Sequence, residues 1–86
     1  MDRKFDTALE ARNIVDGLAK QTKKLNYNPQ YKVLLSNLNK MINDLSSAEV
    51  VARQSKKHSI VEIPRERLAL AIDYFEKLLL IQSLSQ

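Results

Sequence analysis

Cysteine and tryptophan are absent from this 86-residue chain, glycine occurs once, and proline twice. Without cysteine there is no disulfide framework and no thiolate nucleophile or metal ligand, and the expected compartment is a reducing one, the cytoplasm. A single glycine excludes a phosphate-cradling loop, a dinucleotide fingerprint and a nucleophile elbow. The stretch Met1 to Asp6 carries charge where a secretory leader requires an apolar run, and the longest purely aliphatic run is Leu78 to Ile81. No segment approaches the ~20 apolar residues of a membrane span.

Chemistry-bearing residues are equally sparse. The one histidine, His58, follows Lys56 and Lys57 with no carboxylate at ligand spacing, so neither a metal site nor an oriented general base is expected, and no cofactor is implied. Carboxylates at helical spacing, Asp2/Asp6, Asp6/Glu10 and Asp73/Glu76, have a simpler account as solvated faces. There Asp16/Lys20, Glu49/Arg53 and Asp73/Lys77 form i,i+4 pairs of opposite sign. The reading is of a protein without catalytic residues.

What is present is helical periodicity. The 44% apolar and 28% charged content is that of a folded domain, and one domain is what this length supports. From Asp2 to about Leu25, Ala8, Ala11, Val15, Leu18 and Leu25 alternate at spacings of three and four, with Phe5, Leu9, Ile14 and Ala19 widening the stripe. Gly17 falls on the polar face of that helix, where it is either tolerated or marks a close backbone contact. Asn26-Tyr27-Asn28-Pro29 ends it, and Asn28 is placed to cap a second helix with Pro29 in its first turn.

Tyr31, Leu34, Leu38, Met41, Leu45, Ala48 and Ala52 hold one unbroken a/d phase, supported by Leu35 and Ile42, which favours a single helix to about Lys57. Ser46 and Glu49 have the spacing of a capping box, which would break it in two. Continuity is the preferred reading, since a turn would reset the phase. Ile60 to Ile63, β-branched and ahead of Pro64, reads as an extended link, with Ile63 stapling onto a third helix from Pro64 to about Leu84 and Glu66 in its first turn. The expected fold is all-α: an antiparallel up-down-up bundle of three long helices, or four if the second breaks at Ser46/Ser47.

The third helix is apolar around too much of its circumference. Leu68, Leu70, Ala71, Ile72, Tyr74, Phe75, Leu78, Leu79 and Ile81 cover roughly 200°, against about 100° for a core-facing surface helix, and Leu80 adds an apolar residue to the polar face. Either this helix is central, or the edge formed by Leu70, Tyr74 and Ile81 meets another protein or a second copy of the chain, with Tyr74 as anchor.

The net charge of +4 comes from fourteen basic and ten acidic residues, a mild excess for a nucleic-acid binder. Lys20/Lys23/Lys24 and Arg53/Lys56/Lys57 fall at helix C-termini, where cations suit the dipole, and no aromatic is interleaved for base stacking. If the second helix is continuous, these clusters lie at opposite ends and form no patch.

Asn28-Pro29-Gln30-Tyr31-Lys32-Val33-Leu34-Leu35, continuing through Leu38 and Ile42, then Ile63-Pro64-Arg65-Glu66-Arg67-Leu68 and an amphipathic C-terminal helix, resembles the immunity proteins of pediocin-type bacteriocins over about fifty residues. The segment between Val51 and Pro64 is short for the third helix of such a protein. The resemblance implies a small basic cytosolic bundle that protects a bacteriocin producer by recognising the toxin-bound membrane receptor from the cytosolic side. On this chain it makes Arg65, Arg67, Leu70 and Tyr74 candidate contacts, alongside Leu78 and Ile81 from the apolar arc. Leu38-Asn39, Met41-Ile42 and Ile63-Pro64 with Glu66 are also similar to a small helical subunit of the eukaryotic Mediator complex.

Overall fold

The computed structural model describes residues 4–24 and 28–84. Three α-helices follow in order, α1 (Ala8–Lys24), α2 (Pro29–Ser55) and α3 (Glu62–Leu84), with a 3-10 turn at His58–Val61 leading into the last. The Ala8 end of α1 lies beside Glu49 in the last third of α2, and Lys24 at its other end shares a groove with Ser83 of α3. The bundle is therefore up-down-up. α2 packs along both neighbours, which touch each other far less, and the Cα envelope is 49 × 23 × 16 Å.

The core follows the helical stripes. Ala8, Ala11, Val15 and Leu18 of α1, Tyr31, Leu38, Ile42, Leu45 and Ala52 of α2, and Leu68, Ala69, Ile72, Phe75 and Leu79 of α3 are buried together, closed by Val61 from the 3-10 turn. Fully burying side chains such as Ile42, Leu45 or Leu68 contributes roughly 1.5–3 kcal/mol each. Tyr31 meets Phe75 edge to face with ring centroids 5.8 Å apart, the arrangement that opposes positive ring edge to negative ring face. Leu9, read as part of the α1 stripe, is instead exposed, and Thr22 is buried with its hydroxyl donating to the Ala19 carbonyl at 2.7 Å.

α2 is continuous. Asn28 caps it as expected, accepting from the Gln30 N–H at 2.9 Å with Pro29 in the first turn. Ser46 and Ser47 point to solvent, while Ile42, Leu45 and Ala52 carry the buried stripe through the region of the expected break. No capping box forms at Ser46, because Glu49 is engaged elsewhere: its Oε2 accepts from the Ala8 N–H at 3.0 Å.

Two boundaries differ from the sequence expectation. α1 begins at Ala8 rather than Asp2. Thr7 Oγ1 accepts from the Glu10 N–H at 3.2 Å and Glu10 Oε2 from the Asp6 N–H at 3.3 Å, a capping arrangement that stops the helix there. Phe5, ahead of the helix, is buried in the core, and Lys4 reaches α3. Asp2 and Leu25 to Tyr27 lie outside the described residues.

The link before α3 is not extended. Ile60 N–H bonds the Lys57 carbonyl at 3.2 Å, and the Glu62 N–H bonds the Ser59 carbonyl, so the 3-10 turn supplies acceptors to the first turn of α3. Ile63 is helical and exposed, so Val61 and Ile60, not Ile63, pack on the core. α3 starts at Glu62 rather than Pro64, so Ile63 is helical despite the proline after it; Pro64 is the third residue of the helix, where its missing N–H would have had no partner within it.

Candidate functional site

α3 presents two faces of different character. Inward, Leu68, Ile72, Phe75 and Leu79 recur at spacings of four, three and four and fill the core. Outward, Leu70 (54% exposed), Tyr74 (59%), Leu80 (60%), Ile81 (60%) and Leu84 (78%) face away from the bundle, together with Ile63 near its start. Contiguous apolar surface of this kind on a small domain marks a contact site more often than isolated exposed leucines do.

Of the six residues that the sequence singled out, the structure brings four to the outer side and separates two. Leu70, Tyr74 and Ile81 share the outward face with Arg67, which is also exposed. Leu78 is half-buried along one edge. Arg65 leaves the group: two residues on a helix differ by about 200°, so Arg65 and Arg67 point to opposite sides. The half-buried Arg65 lines a mixed-charge groove with Asp6, Glu49, Arg53, His58 and Glu62, and its Nε is buried without a hydrogen-bond partner.

The outer face continues into α2. Tyr74 and Ala71 with Leu34, Asn37, Leu38, Met41 and Phe75 line an apolar notch of about 210 Å³. Met41 also lines a second notch with Asp44, Ile63, Pro64 and Arg67. The two notches lie on the α2/α3 seam and share Met41, one apolar beside Tyr74 and the other carrying Arg67 and Asp44. Sequence reasoning missed Ile63, which it read as a staple onto the third helix, and Leu84. The signal was available, since both continue the outward spacing beyond Leu70 and Ile81.

The remaining charges serve the fold or face water. Asp73, read as a partner of Lys77, instead lies 3.6 Å from Lys4 Nζ, which also donates to Glu76 Oε1. The hydrogen bond to Glu76, opposed by desolvation and helped by the attraction of both carboxylates, holds the Lys4 ammonium above its ordinary pKa. Among the described residues, Asp16/Lys20 and Glu49/Arg53 do not close either, the latter because Glu49 caps α1. Lys20, Lys23 and Lys24 stand at one end of the bundle and Arg53, Lys56 and Lys57 at the other, so the basic clusters do not merge. Gly17 has no heavy atom within 4 Å of where a Cβ would sit, so no close backbone contact explains it. Among the described residues no helix is long and apolar enough to cross a membrane, and no three acidic or histidine side chains are grouped to hold a metal ion.

Neither a protein-family model, nor a curated protein, nor a solved structure matches the chain.

Proposed function

We propose that this protein is a non-catalytic interaction module that engages another protein through the outer face of α3. The observation that carries this reading is the exposure of Leu70, Tyr74, Ile81 and Leu84 on a helix whose opposite face already fills the core. Tyr74 is the anchor: a rigid ring beside an apolar notch, with a polar tip that tolerates a wet rim. Catalysis has no comparable support. His58 is exposed and makes no hydrogen bond among the described residues that would orient its ring as a general base.

Photo-crosslinking tests this in the cells that make the protein. A benzophenone amino acid at position 74 is expected to give a discrete crosslinked species that the same group at Asp16, exposed on α1, does not. Equal labelling at both positions would overturn the reading. Bacteriocin immunity in the cytosol is the specific form supported by the sequence resemblance. Expression in a bacteriocin-sensitive strain should then protect growth, and Leu70→Glu should abolish the protection while leaving the circular dichroism unchanged.

A further inference from the structure

The outward residues of α3 follow a stricter rule than exposure alone. Ile63, Arg67, Leu70, Tyr74, Lys77, Ile81 and Leu84 are separated by four, three, four, three, four and three residues, and every one is exposed. A 3.5-residue period is what a second helix lying alongside reads, and here it runs the whole of α3, about 31 Å at 1.5 Å per residue. Five of the seven positions are apolar or aromatic. The other two, Arg67 and Lys77, are cations ten residues apart, and neither closes an ion pair among the described residues, although Asp44 of α2 lines the same notch as Arg67.

Those two cations decide the occupant. In a parallel in-register pair of copies, Arg67 would face Arg67 and Lys77 would face Lys77. In an antiparallel pair with Ile63 against Ile81, Leu70 meets Tyr74 and Arg67 meets Lys77, again like on like. Sliding that pair by one heptad sets Arg67 on Leu84 and Lys77 on Tyr74, covering both charges with no carboxylate at any seam position to answer them. The opposite slide leaves only residues 63–74 in contact. Each of these registers covers a cation with no carboxylate facing it, which is costly; only Glu66, beside the seam, flanks Arg67 in the parallel pair. A lipid surface meets the same objection, since both charges stand in the seam between apolar residues rather than on its rim.

We infer that the seam takes an amphipathic helix of a different protein, apolar at its own a and d positions except for two carboxylates ten residues apart that meet Arg67 and Lys77. This rests on the proposed role of α3 and names the partner's chemistry. Because an a position and the d position ten residues on pair equally in parallel and antiparallel register, one probe serves both orientations.

The probe is a 24-residue fluorescent helical peptide with leucine at a and d and glutamate at one such pair. Its control carries lysine at the same two positions. Anisotropy with the full chain is expected to show the glutamate peptide binding at least roughly tenfold tighter. The preference should invert with Arg67→Glu/Lys77→Glu, whose exposed positions leave the fold intact by circular dichroism. Equal affinities, or a preference unchanged by the charge reversal, would overturn the inference. So would a concentration-dependent dimer dissolved by Leu70→Glu, or tighter association with anionic lipid vesicles than with either peptide. If crosslinking at position 74 persists in any of these cases, the interaction module stands and only its acidic helical partner falls. Loss of both removes the two together.

Discussion

The Glu49 carboxylate of α2 accepts a hydrogen bond from the Ala8 N–H at the start of α1, 3.0 Å away and partly buried, so one helix completes the end of another forty-one residues distant. Helix N-termini leave backbone donors without internal partners, and a carboxylate there also meets the positive end of the dipole. With Thr7 Oγ1 serving the Glu10 N–H, two of the orphan donors of α1 are satisfied from different directions.

Glu49→Ala is therefore expected to lower unfolding free energy by about 1 kcal/mol, within the range of lost helix caps. Glu49→Gln, which keeps an acceptor but not the charge, should lose less. Urea titrations followed at 222 nm compare the two, and equal losses would mean that the carboxylate acts on α1 by charge alone.

Phe5 lies ahead of α1 yet is buried to 2% exposure. Phe5→Ala should cost about 3 kcal/mol through lost transfer energy and the cavity left behind. A small domain feels that as a large fall in thermal midpoint, readable by calorimetry. A midpoint unchanged within a degree would show that the residue does not plug the core.

The Lys4 ammonium, bonded to Glu76 and near Asp73, has its pKa raised above the ordinary 10.5. Its contribution to stability is complete below the unfolded value and disappears as pH rises through the higher folded one. Between pH 10 and 12 the wild type should therefore lose stability more steeply than Lys4→Met, with the curves converging at the alkaline end. Parallel curves would remove the ion pair from the account. Lys4 is half exposed, so the expected difference is small.

Gly17 is helical and exposed, with open space around it. Gly17→Ala should raise stability by about 1 kcal/mol, since only backbone entropy changes. Destabilisation would reveal a contact that the isolated chain does not make.

Lys56 ends α2 in the left-handed region, at φ 59° and ψ 24°, where a Cβ is strained and glycine is not. Lys56→Gly is expected to stabilise by up to about 1 kcal/mol and Lys56→Val to destabilise, both measured by chemical denaturation.

The contrast between Asn28 and Glu49 shows how far the sequence could be read. The Asn28 cap, the Pro29 start and the unbroken phase from Tyr31 to Ala52 are local patterns, and all appear in the structure as read. For Glu49 the spacing offers an ion pair with Arg53 or, if α2 broke, a capping box with Ser46, both local, whereas its partner lies in another helix, where spacing carries no information. The β-branched run at Ile60 to Ile63 misled for a related reason: strand-like propensity yields to a 3-10 turn when that turn buries Val61 and feeds α3 its first acceptors. Thr7 and Glu10 were legible, but the apolar stripe continuing back to Phe5 masked the cap. The wide apolar arc of α3 was visible throughout. Its division into an inner and an outer repeat required knowing which residues the other helices cover.

Thr7 shares a groove with Glu62 and Arg65 near the start of α3, while Lys4, three residues earlier, reaches Asp73 and Glu76 about three turns further on. The leading segment thus runs back along α3, and Lys4 and Glu76 are 72 positions apart in sequence. On a ribosome these residues emerge well ahead of α3, and their contacts on it are made only when α3 leaves the exit tunnel. The closing of this contact therefore waits on the last helix, and α1 and α2 are complete in sequence before the leading segment has its seat.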